Sequence, residues 1–154
     1  MGRPFSFKTP VGKPVTEIEA ALRTERTIDI ITVGAKTGMK RTTEIWFTNI
    51  QGRIIICGTP SADGDPGKRR PRDWLANLKA KPEFEFCLKE AFRLCLPAKA
   101  RIITDPADRR QIMGAQETRW YRDQGFSVED LVLGSPIVEV FFLGAYQYLN
   151  VRRV

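Results

Sequence analysis

Apolar positions alternate with polar ones over several short stretches, and the alternation predicts strands. Thr27 to Val33 is rich in Ile and Thr. Arg41 to Asn49 sets Thr43, Ile45 and Phe47 against Thr42, Glu44, Trp46 and Thr48. Arg53 to Gly58 holds Ile54, Ile55 and Ile56 in a row, which predicts a strand covered on both faces. The turns at Gly34 to Met39 and at Gln51-Gly52 are short, so these three strands are expected to form an antiparallel meander. Glu83 to Leu88 places Phe84, Phe86 and Leu88 on one face, and Phe92 to Thr104 reads as a long strand bent at Pro97. Pro136 precedes a last strand, Ile137 to Leu143, and the tail from Tyr146 to Val154 is expected to extend that sheet.

Helical spacing is rarer. Thr16 is expected to cap a short helix with Ile18, Ala21 and Leu22 on its apolar side. Asp73 to Ala80 buries Trp74, Leu75 and Leu78, carries Asn77 one turn from Trp74, and stops at Pro82. Asp105-Pro106 starts a helix expected to run to about Tyr121, and Ser127 caps another piece through Leu133. The prolines of residues 1–14 make an irregular arm. No repeat or linker interrupts the pattern. The expectation is a mainly β chain with helices (α+β), a small antiparallel barrel, preceded by an arm and short helix over residues 1–26.

Composition narrows the chemistry. The chain has 154 residues, a net charge of +7 and no histidine. The charge favours anionic ligands. The missing histidine removes a Ser-His-Asp triad and His-ligated zinc or haem, so an enzyme of this sequence uses other groups for acid-base chemistry or a cofactor carries the reaction. Cys57, Cys87 and Cys95 lack CxxC spacing and are expected to be reduced, although Cys87 and Cys95 fall on successive strands. The N-terminal residues lack an apolar segment, and Leu131 to Tyr146 is too short to span a bilayer. A cytoplasmic protein is expected, with peripheral membrane contact left open.

Four segments are candidates for function. GAKTGMKRTT, Gly34 to Thr43, gathers cations, hydroxyls and glycine-permitted amides at one turn, a place to hold a phosphate. It fits neither a P-loop nor a dinucleotide fingerprint, and a solvated hairpin loop is the plain alternative. DGDPGKRRPRDW, Asp63 to Trp74, lacks the closing carboxylate of a calcium loop. Its Lys68, Arg69, Arg70 and Arg72 either bind an anion or are simply solvated. In WLANLKAKP, Trp74 is a core anchor and Asn77 a donor to a ligand or to a neighbouring loop. In RWYRDQGF, Trp120 and Tyr121 line a pocket or pack a helix end.

Taken in order, GAKTGMKRTT, Trp46-Phe47, RIIICGT, RPRDWLANLKAKPEFEF and PAKARIITDPADRR resemble the deazaflavin-dependent nitroreductase family of split β-barrel, pyridoxamine-phosphate-oxidase-like proteins. The most specific pieces are G-x-K-[ST]-G-x-x-R-T-T, from Gly34 to Thr43, and P-x-x-W-x-x-N-L-x-A-x-P, from Pro71 to Pro82. The resemblance implies a split-barrel domain over residues 27–154 and reduced coenzyme F-420, which delivers hydride to a quinone, nitroaromatic or unsaturated carbonyl compound. It implies that Lys36, Thr37, Met39, Lys40, Arg41, Thr42 and Thr43 surround the phosphate and glutamate tail. Thr59, Pro60, Ser61, Lys68 and Arg69 would lie along the ring, with Trp74 and Asn77 securing loop and tail. Ser61 and Tyr121 are the candidate proton donors. A homodimer is the default for the fold. Glu44 stands where the family usually carries proline, so its carboxylate is expected to point away from the phosphate or to pair with Arg41. The competing readings are an FMN-binding split-barrel oxidoreductase and a non-catalytic module for nucleic acid or another polyanion. The alternation of Trp46, Phe47, Phe84 and Phe86 as core favours a compact anionic ligand over nucleic acid.

Overall fold

The computed structural model describes residues 14–60 and 73–150. Seven strands form one antiparallel sheet in the order β2-β1-β5-β6-β7-β4-β3. They are β1 (Thr27–Val33), β2 (Lys40–Trp46), β3 (Thr48–Ile50), β4 (Arg53–Cys57), β5 (Glu83–Leu88), β6 (Leu94–Ile102) and β7 (Ile137–Phe142). The sheet curls into a half-barrel. Its inner face carries Ile28, Ile30, Phe84, Phe86, Leu96, Val140 and Phe142 against α1 (Val15–Thr24) and α2 (Asp73–Ala80). Phe86 is fully buried and meets Phe47 and Phe142 edge to face at 5.2 and 5.3 Å. The opposite face of the β4–β7 end is covered by α3 (Pro106–Met113), α4 (Arg119–Asp123) and α5 (Val128–Gly134), around Ile55, Ile112, Met113 and Leu131.

The strands form where alternation predicts them, but their partners differ. β2 pairs with β1 alone, whereas β3 and β4 lie at the other end of the sheet, β4 against β7. The expected three-strand meander is therefore two hairpins joined by a crossing at Phe47. Phe47 is buried, and its amide donates to Arg26 O at 2.9 Å. Alternation specifies which face a residue shows, not which strand lies beside it. Trp46, expected as core, is 38% exposed on the outside of the crossing.

Helix ends shift for local reasons. α1 starts at Val15 behind an extended Pro14, with no side-chain cap, so Thr16 is inside it. The helix expected to reach Tyr121 stops at Met113, where Gly114 is the C-cap and a 3-10 turn (Gln116–Thr118) redirects the chain into α4. The Thr118 hydroxyl fixes that turn by donating to Ile112 O at 2.7 Å. Ser127 caps α5 through a reciprocal capping box with Asp130. As far as Asn150 the tail forms a 3-10 turn (Gly144–Leu149) rather than a further strand, and the Asn150 side chain donates to Phe142 O and accepts from Phe142 N; the rest of the expected strand lies outside the described residues.

The expectation of reduced cysteines fails for two of three. Cys87 and Cys95 stand directly opposite in the β5–β6 register and are joined as a disulfide. Register, which no cysteine count specifies, decided this. Cys57 is free and buried, and burial pushes its thiol up to about 12.

Asp29 is a buried carboxylate on β1, 2.9 Å from Lys89 Nζ and 2.8 Å from Arg93 Nη1. The Lys89 hydrogen bond, assisted by Arg93, holds its pKa below the usual value of 3.8 against the opposing effect of burial. The stability it contributes is fully present above that value and is lost as pH falls through the lower folded value. Asp29→Asn is therefore expected to lower stability by a constant amount near neutral pH. The difference from the unmodified protein should shrink as pH falls below about 4. Urea unfolding across a pH series checks this, and a gap that widens in acid would contradict it.

Candidate functional site

A groove of about 390 Å³ opens between the β1–β2 turn and α2. Gly34, Lys36, Thr37 and Arg41 line one wall, and Asp73, Ala76 and Asn77 line the other. The turn is built from its own sequence. Gly34 N donates to Met39 O at 2.7 Å, Gly38 N to Gly34 O at 2.9 Å, and Met39 N to the Thr37 hydroxyl at 3.1 Å. Gly38 sits at φ +72°, a conformation that favours glycine. A Cβ on Gly34 would lie 2.6 Å from Thr37 Oγ1 and 3.2 Å from Met39 O, so a larger residue would displace the hydroxyl that holds Met39 N. The Lys36 and Thr37 amides have no acceptor among the described residues.

Asn77 ties the turn to α2. Its side chain is buried, accepts from Ala35 N at 2.8 Å and donates to Thr32 Oγ1 at 3.1 Å. Arg41 reaches Asp73 at 3.9 Å, a loose, half-exposed pair that leaves the guanidinium open to another anion. The groove thus presents two cations, a hydroxyl and free amides on a turn fixed by a buried side chain. That donor set fits a phosphate or carboxylate tail.

A second cavity of about 330 Å³ lies where the β2 and β4 ends of the half-barrel approach each other. Trp46, Trp120 and Tyr121 supply its aromatic wall, with Glu44 and Thr59 at its polar edge. Trp120 meets Trp46 and Tyr121 edge to face at 5.2 and 5.1 Å, and the Arg26 guanidinium stacks over Trp46 at 4.1 Å. Tyr121 is buried, and its hydroxyl donates to Cys57 O at 3.1 Å. Glu44 does not pair with Arg41. It shares Lys89 with Asp29 on the outer face.

The expected site residues therefore divide. Lys36, Thr37, Arg41 and Asn77 meet in the first cavity. Thr43 lies on the Arg41 side of β2, whereas Thr42 faces the other way. Met39 is exposed at the turn, and Lys40 pairs loosely with Glu85 at 3.6 Å. Trp74 is buried in the core and anchors α2 from behind. Thr59 belongs to the second cavity, and Pro60 packs near Gly134. Ser61, Lys68 and Arg69 lie outside the described residues. Sequence reasoning missed Asp73 and Ala76, although Asp73, Ala76 and Asn77 are spaced i, i+3, i+4 on one helix face. It also missed the Trp46–Trp120 contact, for which no local signal exists.

A curled antiparallel sheet with helices on its faces, a groove beside one hairpin and an aromatic cavity at its seam is the split-barrel arrangement. Solved structures with this fold include an F-420 reductase, with TM-score 0.56 at 15% identity over 82% of this chain and 93% of the other. A Listeria innocua protein assigned as a pyridoxamine 5'-phosphate oxidase aligns with TM-score 0.56 at 9% identity, over 82% and 91% of the two chains. A chain solved as a domain-swapped dimer aligns with TM-score 0.51 at 20% identity, over 75% and 80%. These likenesses establish the fold. Comparison with curated proteins gives no match. The family model of the F420H2-dependent quinone reductases matches residues 11–126, and the chain belongs to that family. It is a deazaflavin-dependent oxidoreductase whose cofactor is coenzyme F-420. Among the described residues no helix is long and apolar enough to cross a membrane.

Proposed function

We propose that the groove beside α2 holds the phosphate and glutamate tail of coenzyme F-420, and that the aromatic cavity receives the acceptor: a quinone, nitroaromatic or unsaturated carbonyl compound. The observation that carries this reading is the joining of Lys36, Arg41 and the Asn77-fixed turn in one cavity. When bound and reduced, the cofactor supplies a hydride to the acceptor. Lys36 and Arg41 neutralise the tail, and the Lys36 and Thr37 amides and the Thr37 hydroxyl orient it.

Trp46 and Trp120 offer flat surfaces that exclude water from an aromatic acceptor. Tyr121 holds a proton at the cavity wall. Its hydroxyl has one hydrogen, engaged with Cys57 O, so donation to an acceptor oxygen breaks that bond and solvent restores the proton. Ser61 is retained as the second candidate donor, and Lys68 and Arg69 as further tail contacts. A homodimer and a cytoplasmic location, with peripheral contact to membranes that carry lipid quinones, belong to the same reading. The domain-swapped dimer of similar fold supports the former.

Fluorescence titration with F-420 and with FMN, followed by turnover of a soluble quinone with reduced F-420, tests the proposal. Micromolar F-420 binding, weaker FMN binding and quinone reduction are expected. Tyr121→Phe is expected to lower kcat while leaving F-420 affinity unchanged. Tight FMN binding with no F-420 binding would overturn the assignment of the groove.

A further inference from the structure

The outer face of β5 and β6 carries a second cluster with its own chemistry. Alternation turns Phe84, Phe86, Leu94, Leu96 and Ala98 inward and leaves Glu85, Cys87, Cys95 and Pro97 on the outside. Cys87 and Cys95 are directly opposite, and Glu85 is two residues from Cys87 on the same face. One ligand atom from each of the three lies within 4.8 Å of the others. Cys87 is fully buried, whereas Cys95 is half-buried and gives the cluster an open side. The ion pair recorded for Glu85 is with Lys40, whose side chain is 74% exposed and free to swing away.

The two sulfurs are bonded to each other in this state; opened to thiolates beside the carboxylate, they would make a ligand set for a thiophilic divalent cation. Tetrahedral zinc with Zn–S bonds of about 2.3 Å holds its sulfurs roughly 3.8 Å apart. The Cα atoms of Cys87 and Cys95 are 3.9 Å apart, and once the bond is open the sulfurs reach the wider separation by side-chain rotation. We infer that Cys87, Cys95 and Glu85 form a redox-gated site for one zinc-like cation, closed as the disulfide and open as the dithiol.

The chemistry balances. A dithiol reductant supplies two electrons and two protons, is itself oxidised to a disulfide, and opens the Cys87–Cys95 bond to two thiols. A divalent cation then displaces both thiol protons to water, forms two metal–sulfur bonds and one bond to a Glu85 oxygen, and keeps a water in the fourth position. In a reducing compartment the dithiol is the standing form, and oxidation expels the metal. The site lies on the outer face, apart from the F-420 groove, and does not depend on that assignment.

The full-length protein, reduced and desalted without oxygen, is titrated with cadmium as the probe, following sulfur-to-metal charge-transfer absorption and the thermal melt. The expected result is one cadmium per reduced chain and none per oxidised chain. Cys95→Ser should abolish the dithiolate band. Glu85→Gln should weaken binding by at least about tenfold, the loss that even an outer partner of a metal site produces. If reduction lowers the melting temperature, stoichiometric cadmium should restore it. Reduced protein that takes up no cadmium, uptake unchanged in Glu85→Gln and Cys95→Ser, or a reduced chain that cadmium does not restore would each overturn the site.

Discussion

Alanine at Lys36 or at Arg41 is expected to raise the dissociation constant for coenzyme F-420 by about tenfold to a hundredfold each. A hydrogen bond to a charged group is worth about 1.5–3 kcal/mol, and both cations line the same groove. Arg41→Lys should fall between the two, because an ammonium keeps the charge but loses the planar fork that grips two oxygens. The losses need not add, since both residues act on one ligand. The affinity of the unmodified protein should fall with salt, and the double variant should be less salt-sensitive. The variants should melt at the temperature of the unmodified protein, because Lys36 and Arg41 are exposed. Fluorescence titration at two ionic strengths reads all of this. Unchanged affinity in the double variant would move the tail elsewhere.

The second large effect concerns stability. Glu139 is 2% exposed on the central part of β7, on the outer face beneath α3. It accepts from Arg53 Nη2 at 2.9 Å and Nε at 3.1 Å and from Arg101 Nη2 at 3.2 Å. Arg53 also grips both Asp108 oxygens, at 2.9 and 3.0 Å, so one guanidinium ties β4 to β7 and to α3. Its pKa is raised, first by the Glu139 hydrogen bonds and then by Asp108. Removing one partner of a buried pair typically costs about 3–5 kcal/mol, because the other charge stays buried. Glu139→Ala is therefore expected to cost about 3 kcal/mol, with Asp108 retaining part of the neutralisation, and to lower the melting temperature by roughly 10 °C. The double variant Arg53→Met, Glu139→Leu should recover part of that loss, since an apolar pair replaces two buried ions while Asp108 and Arg101 keep each other at 4.0 Å. Calorimetry of the single and double variants checks the pair. A single variant as stable as the parent would show that the network adds nothing.

Much of the candidate site was legible because it is local. The β1–β2 turn carries its own instructions: Gly34 to leave room for the Thr37 hydroxyl, Gly38 for the positive φ, Thr37 to hold Met39 N, and Lys36 and Arg41 to attract an anion. Asn77 was legible by its place one turn from Trp74 on an amphipathic helix, although only the fold shows that it grips Ala35 and Thr32. Glu44 faces away from Arg41, one of its two expected arrangements, but its partner was not legible, because a side chain on an edge strand chooses among all charges within reach. The winning partner, Lys89, is 45 residues away in sequence. Trp120 and Tyr121 were legible as possible pocket residues, but not Trp46 beside them, because Trp46 and Trp120 meet only when the chain crosses at Phe47 and α4 folds over the seam.

The sequence by itself determined most of the strands, the cation-bearing turn, the helix that backs it and the family to which the chain belongs. Each depends on residues within a few positions of one another, where backbone preference and side-chain period act directly. Tertiary structure decided which strands are neighbours, that Cys87 faces Cys95, and that two hairpins consecutive in sequence sit at opposite ends of the sheet and meet at an aromatic seam. Those outcomes depend on register and on burial of the whole apolar face at once, and no short segment carries that information.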